Sequence, residues 1–206
     1  MSKLSPAQWI GKTETCNDVI EKAHVDKIAA TLGTPRPVAG EPLPMLWHWA
    51  FFQEPVSAEG LGEDGHPARG GFLPPADNRN RMWAGGHLDF LQPLRIGVEA
   101  NRTTTIGAVE EKQGRSGSLL FVTVNHEYTQ AGKLCVREQQ NIVYREPAAP
   151  KESSDFVVPE PAWCERFDPT PVTLFRYSAV TFNGHRIHYD HPYATDVEGY
   201  SGLVVH

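Results

Sequence analysis

The sequence predicts an α+β fold in which one antiparallel sheet wraps a central helix. Three observations carry this. Residues 45–52, Met-Leu-Trp-His-Trp-Ala-Phe-Phe, are apolar on every side, as a helix buried all round must be. From Met82 onward apolar and polar residues alternate with a period of two, the pattern of half-buried strands. Glycine-bearing turns join the alternating segments into hairpins, at residues 113–117 and 130–133.

The elements follow in chain order. Val19, Ile20, Ala23, Ile28 and Leu32 recur at helical spacing, with Thr15 and Asp18 as a candidate capping box, so a first helix is expected over residues 17–32. Gly33 and Pro35 stop it. The 45–52 helix is read as the central one. Residues 54–80 are polar and rich in Gly and Pro, and a loop of that length in a compact domain is commonly functional, here a candidate lid. Ile96, Val98 and Ala100, then Leu120, Val122 and Val124, then Leu134 and Val136 with Ile142 and Tyr144, mark antiparallel strands. One helix wrapped by such a sheet is the hot-dog plan. Residues 147–170 begin with Pro-Ala-Ala-Pro and read as a linker between a first unit (1–146) and the start of a second (171–206). A strand is expected over residues 173–182. So short a second unit is expected to pack on the first or on a neighbour, and the chain is read as a truncated form.

Composition excludes several functions. A net charge of −6 with scattered basic residues argues against a nucleic-acid surface. No apolar run reaches the roughly 20 residues of a membrane span, and the first residues lead into no signal-peptide core, so a cytoplasmic protein is expected. Three widely spaced cysteines, Cys16, Cys135 and Cys164, indicate neither a disulfide framework nor a zinc knuckle.

Reactive side chains are densest in Phe182-Asn183-Gly184-His185-Arg186-Ile187-His188-Tyr189-Asp190-His191. A helical turn at residues 186–189 would bring an amide, Asn183, and an imidazole, His188, to one point, where the imidazole can exchange protons near neutral pH. The spacing of His185, His188 and His191, with Asp190, is also a candidate metal set, although three-residue steps drift round a helix. No metal is expected on that ground.

Residues 174–190 resemble the active-site signature of the MaoC-like acyl-CoA dehydratases. The resemblance is to their two-hot-dog branch, which contains mesaconyl-CoA (3-methylfumaryl-CoA) hydratase and type 2 hydroxyacyl-thioester dehydratase. It extends through residues 70–75 and 81–86, and through residues 198–206, which look like the entry to a second central helix. His188 matches the family's catalytic His, whereas Asn183 stands where the broader family has Asp. The resemblance implies a hydro-lyase acting on a coenzyme A thioester, without metal or redox cofactor. The reaction it implies is hydration of mesaconyl-CoA to citramalyl-CoA, with dehydration of a 3-hydroxyacyl thioester, or non-catalytic acyl-CoA binding, as alternatives. His188 and Asn183 would carry the chemistry, and Arg186 or Arg81 would pair the acyl carboxylate. Arg69, Arg79 and Arg81 suit coenzyme A phosphates, and Gly202 lies on the substrate side. A homodimer or higher assembly is expected.

Overall fold

A computed structural model describes residues 6–68, 71–76, 79–114, 117–146, 157 and 159–206. Its framework is a five-stranded antiparallel sheet in the order β1-β3-β4-β5-β2, built from β1 (Thr13–Val19), β2 (Asn80–Phe90), β3 (Glu99–Gly114), β4 (Gly117–Gln130) and β5 (Lys133–Arg145). Two helices accompany it, α1 (Lys22–Leu32) and α2 (Pro171–Val180). At the β4–β5 turn Ala131 and Gly132 take φ of 49° and 74°. Two consecutive left-handed residues make the tight turn whose twist matches the strands it joins. Gly114 pairs with Gly117 across the other hairpin, whose tip lies outside the described residues.

Three expected elements differ. Residues 17–19 belong to β1, which pairs with β3 from Thr13↔Thr105 to Val19↔Glu99, so the first helix starts at Lys22. Asp18 caps nothing helical: its carboxylate accepts from the backbone N–H groups of Val19 and Phe52 at 2.8 and 2.7 Å. Second, the 45–52 segment forms one 3-10 turn, Trp47–Ala50, with Met45 70% exposed. The helix in the sheet's apolar cluster is α1, whose Val25 and Ile28 join Phe51, Phe52, Ile96 and Val136. Third, Pro171–Val180 is helical rather than extended. Thr170 accepts from the Thr173 N–H while the Thr173 hydroxyl accepts from the Thr170 N–H, and Pro171 preorganises the first turn. Leu174 and Ser178, one turn apart, are buried, whereas Val172 and Phe175 are exposed, a helical face that the local alternation concealed.

Helix α2 packs against α1. The His24 Nε2 of α1 lies 2.8 Å from the Val180 carbonyl at the end of α2. On the inner face of the sheet, Leu120, Val122, Ile106 and Tyr144 make an apolar end. Between it and the apolar cluster around α1 the same face turns polar, with Thr104, His126 and Glu138 all buried. No helix among the described residues is long and apolar enough to cross a membrane.

Candidate active site

The polar part of the sheet's inner face, the 54–67 segment, α2 and residues 182–189 enclose a cavity of about 950 Å³. Asn183, Gly184 and Tyr189 face it from the C-terminal segment, Arg81, Arg102 and His126 from the sheet, and His66 from the long loop. Phe182, in the left-handed region at φ 51°, turns the chain out of α2 and into this segment.

His188 ends the 3-10 turn Arg186–His188 and is buried. Its Nδ1 lies 2.8 Å from the Val204 carbonyl. A carbonyl only accepts, so Nδ1 carries the hydrogen and the neutral ring keeps its lone pair on Nε2. Burial pushes the His188 pKa down, which holds the ring neutral near pH 7. His206 stacks on it at 3.8 Å between ring centroids, and His185 meets it edge-on at 5.4 Å. The Asn183 Oδ1 accepts from the His185 N–H at 2.9 Å, which fixes the amide's orientation and turns Nδ2 into its donor end.

The long loop closes on this segment backbone to backbone. Arg186 donates its N–H to the Asp64 carbonyl at 2.9 Å and its Nη1 to the Glu63 carbonyl at 3.2 Å. Gly65, at φ +85°, comes so close that a Cβ there would lie 1.9 Å from the Gly184 oxygen. The Asp64 Oδ2 is 3.1 Å from the His66 Nδ1, and Oδ1 accepts from the His66 N–H at 3.0 Å. Those His66 hydrogen bonds hold the Asp64 carboxyl well below the usual carboxylate range. The His66 and His185 rings lie 4.1 Å apart. Burial first, then the positive charge His66 can carry, brings His185 down to about 3.

The arginines divide. Arg186 sends Nε and Nη2 to Asp190 Oδ2 at 2.9 and 2.8 Å and lies 4.0 Å from the Tyr193 ring centroid. It is therefore a strut of the segment, spent on its own i+4 partner, rather than a group on the cavity wall. Arg81 does line the cavity, and its charge acts on His185. Arg79 sits elsewhere on the sheet, donating to the Ser118 hydroxyl at 3.1 Å and facing Glu111 at 3.6 Å. Arg69 lies outside the described residues. Gly202 is off the cavity wall, and a Cβ there would meet nothing within 4 Å, so no close backbone approach requires a glycine.

Sequence reasoning missed a buried polar network on the sheet. The Glu138 Oε1 accepts from Trp49 Nε1 at 2.9 Å and Gln140 Nε2 at 2.8 Å, and Oε2 accepts from the Tyr128 hydroxyl at 3.0 Å. The His48 Nε2 stands 3.4 Å from Oε2, an ion-pair separation without hydrogen-bond alignment. Burial alone would raise Glu138; its partners outweigh that and hold it at about 2. His126, bonded to the Thr104 hydroxyl at 2.9 Å, is pushed by burial down to about 4 and is neutral at pH 7. Strict alternation was the available signal, since positions 126 and 138 share the inward register of Val124 and Val136.

Among the described residues, the potential metal ligands that gather in a group are Asp64, His66 and His185, not His185, His188 and His191. Their donor atoms lie within 4.8 Å of one another, and Asp64 and His66 are already bonded to each other. As arranged, this is a hydrogen-bonded pair beside a third ring.

The hydroxyacyl-thioester dehydratase type 2 family matches residues 46–206. The chain is 48% identical to the mesaconyl-C(4)-CoA hydratase of Chloroflexus aurantiacus, over 100% of this chain and 75% of that protein. It is 29% identical to the mitochondrial hydroxyacyl-thioester dehydratase type 2 of Schizosaccharomyces pombe, over 91% of this chain and 73% of that one. Among solved structures, a MaoC-like dehydratase superposes with a TM-score of 0.64 at 12% identity, covering 98% of this chain and 74% of its own, a likeness of fold that makes this sheet and helix a hot dog.

Proposed function

This chain belongs to the hydroxyacyl-thioester dehydratase type 2 family, and on that premise we propose that it hydrates a dicarboxylic enoyl-CoA of the mesaconyl-CoA class, forming a citramalyl-CoA. One observation carries the choice of substrate class over a fatty 3-hydroxyacyl thioester. The cavity beside Asn183 is walled on its sheet side by Arg81, Arg102, His126, Tyr128 and Gln140 and elsewhere by apolar groups such as Phe51, Leu61 and Phe182, so its wall offers cationic partners that an aliphatic chain would not use. A short acyl group with its own carboxylate suits such a wall, and Arg81 stands beside the reacting segment to pair it.

The residues divide the chemistry as follows. The His188 Nε2 takes a proton from water as the hydroxyl adds to the β-carbon of the unsaturated thioester. The Asn183 Nδ2 donates to the water or the thioester oxygen and holds it in line; an amide cannot itself carry the proton. The chain in this reading is a cytoplasmic protein that takes coenzyme A thioesters, and we extend the proposal to a homodimer or larger assembly, to be read from its mass in solution. Residues 171–206 belong, in the same reading, to a second hot-dog unit that brings the catalytic motif to the first.

The test is a panel of enoyl-CoA thioesters, followed by loss of the enoyl-thioester absorbance. Mesaconyl-CoA should be preferred over crotonyl-CoA and over long-chain enoyl-CoA. Arg81→Met should lower kcat/KM for mesaconyl-CoA by roughly 10²-fold or more and crotonyl-CoA far less, since a site built for a charge-assisted bond discriminates strongly. Preference for long-chain substrates would overturn this reading in favour of a fatty dehydratase. Binding of coenzyme A thioesters without turnover would leave a non-catalytic binder.

A further inference from the structure

We propose, resting on the hydratase reading above, that His66 is the second proton carrier of the site and Asp64 its positioning residue. Hydration needs two proton movements, one from water and one to the α-carbon. His188 accounts for the first. Asn183, which faces the cavity, has no titratable proton and cannot be the carrier for the second movement.

The long loop supplies one from about 120 residues earlier in the chain. His66 lines the same cavity as Asn183. Asp64 holds it at two points, through Oδ2 to Nδ1 and Oδ1 to the backbone N–H. A ring oriented by a carboxylate on Nδ1 exchanges protons at Nε2, and the carboxylate stabilises its protonated form. The loop bearing this pair is fixed in place where Gly65 meets Gly184 and where Arg186 bonds the Asp64 carbonyl. A Cβ on Gly184 would lie 2.7 Å from the Gly65 oxygen, so neither backbone has room for a side chain. The His66 ring is thereby set against His185, whose other neighbour is His188.

The step balances as follows. A water O–H bond breaks, its proton goes to His188 Nε2, and the oxygen bonds the β-carbon. The π electrons move into the thioester as an enolate, which closes by taking the proton from protonated His66 to form the α-carbon C–H bond. His188 returns its proton to solvent and His66 regains one from solvent, so each turnover adds one water and consumes no further reactant. Among the groups facing the His66 ring are Asp64 on its own loop and His185 on the C-terminal segment, with His188 behind His185.

The experiment compares Asp64→Asn and His66→Gln with the wild-type chain in kcat against pH, using mesaconyl-CoA and crotonyl-CoA, alongside coenzyme A affinity. Asparagine keeps an oxygen for the His66 N–H, so the loop stays docked. The wild type should show a basic limb where His66 loses its proton. His66→Gln should lower kcat by roughly 10²-fold or more on both substrates and abolish that limb, and Asp64→Asn should lower it about 10-fold and move the limb to lower pH. Coenzyme A affinity should hold. Losses in kcat that leave the shape of the pH profile unchanged, or no loss in either variant, would overturn the assignment while the hydratase reading stood on wild-type turnover. A wild type inactive on every enoyl thioester would sink that reading and this inference together.

Discussion

Glu138→Gln tests whether a charge is held inside the sheet, and its size can be worked from the structure. Glu138 is 1% exposed and its carboxylate accepts from Trp49, Gln140 and Tyr128. Burial would raise its pKa, but His48, then Gln140 and His126, outweigh that and hold it at about 2 against an ordinary value of 4.5. At ~1.4 kcal/mol per pKa unit, that gap makes the ionised form more stabilising than the neutral form by about 3 kcal/mol. Because the folded pKa is depressed, this stability is present above the unfolded value and is lost as pH falls through the window from 4.5 to about 2. About 2 kcal/mol of it is gone by about pH 3. Glutamine approximates the neutral carboxyl in shape, so the variant should be about 3 kcal/mol less stable than wild type at about pH 7, with the gap narrowing to roughly 1 kcal/mol at about pH 3. Urea unfolding of both proteins at the two pH values measures this. A variant as stable as wild type at neutral pH, or a gap independent of pH, would show that Glu138 is not held ionised and that the network is not its stabiliser.

Other consequences are as direct. His188→Ala should lower turnover roughly 10²-fold or more while coenzyme A affinity persists, whereas His185→Ala, removing a ring held neutral by burial, should cost far less; steady-state kinetics with a binding titration separates the two. Gly65→Ala should undock the long loop, since its Cβ would overlap the Gly184 oxygen at a left-handed φ, and limited proteolysis across residues 54–67 should become faster as turnover falls. Thr170→Ala removes one half of the capping box of α2 and should cost about 1 kcal/mol in urea unfolding, and a neutral result would mean that packing on α1 alone holds that helix.

The sequence by itself determined the β4–β5 hairpin, though not β1, whose last residues it read as helix. Alternation at Leu120, Val122 and Val124 sets which face of β4 is inward, and a period of two leaves no freedom in that choice. It also marked the Ala131-Gly132 turn, and the 182–190 cluster as the place for chemistry. The i,i+4 ion pair of Arg186 with Asp190, which keeps Arg186 off the cavity wall, was not read from the chain. Tertiary structure decided the rest. Whether Pro171–Val180 became strand or helix turned on a cap at Thr170 and a buried face against α1, and an alternating stretch of ten residues satisfies both periods poorly enough that contact must choose. The pairing of Asp64 and His66 with His185 could not be read from the chain, because local spacing predicts neighbours only within a helix turn or a strand pair. These groups meet where two loops far apart in sequence are locked together by backbone contact at Gly65 and Gly184.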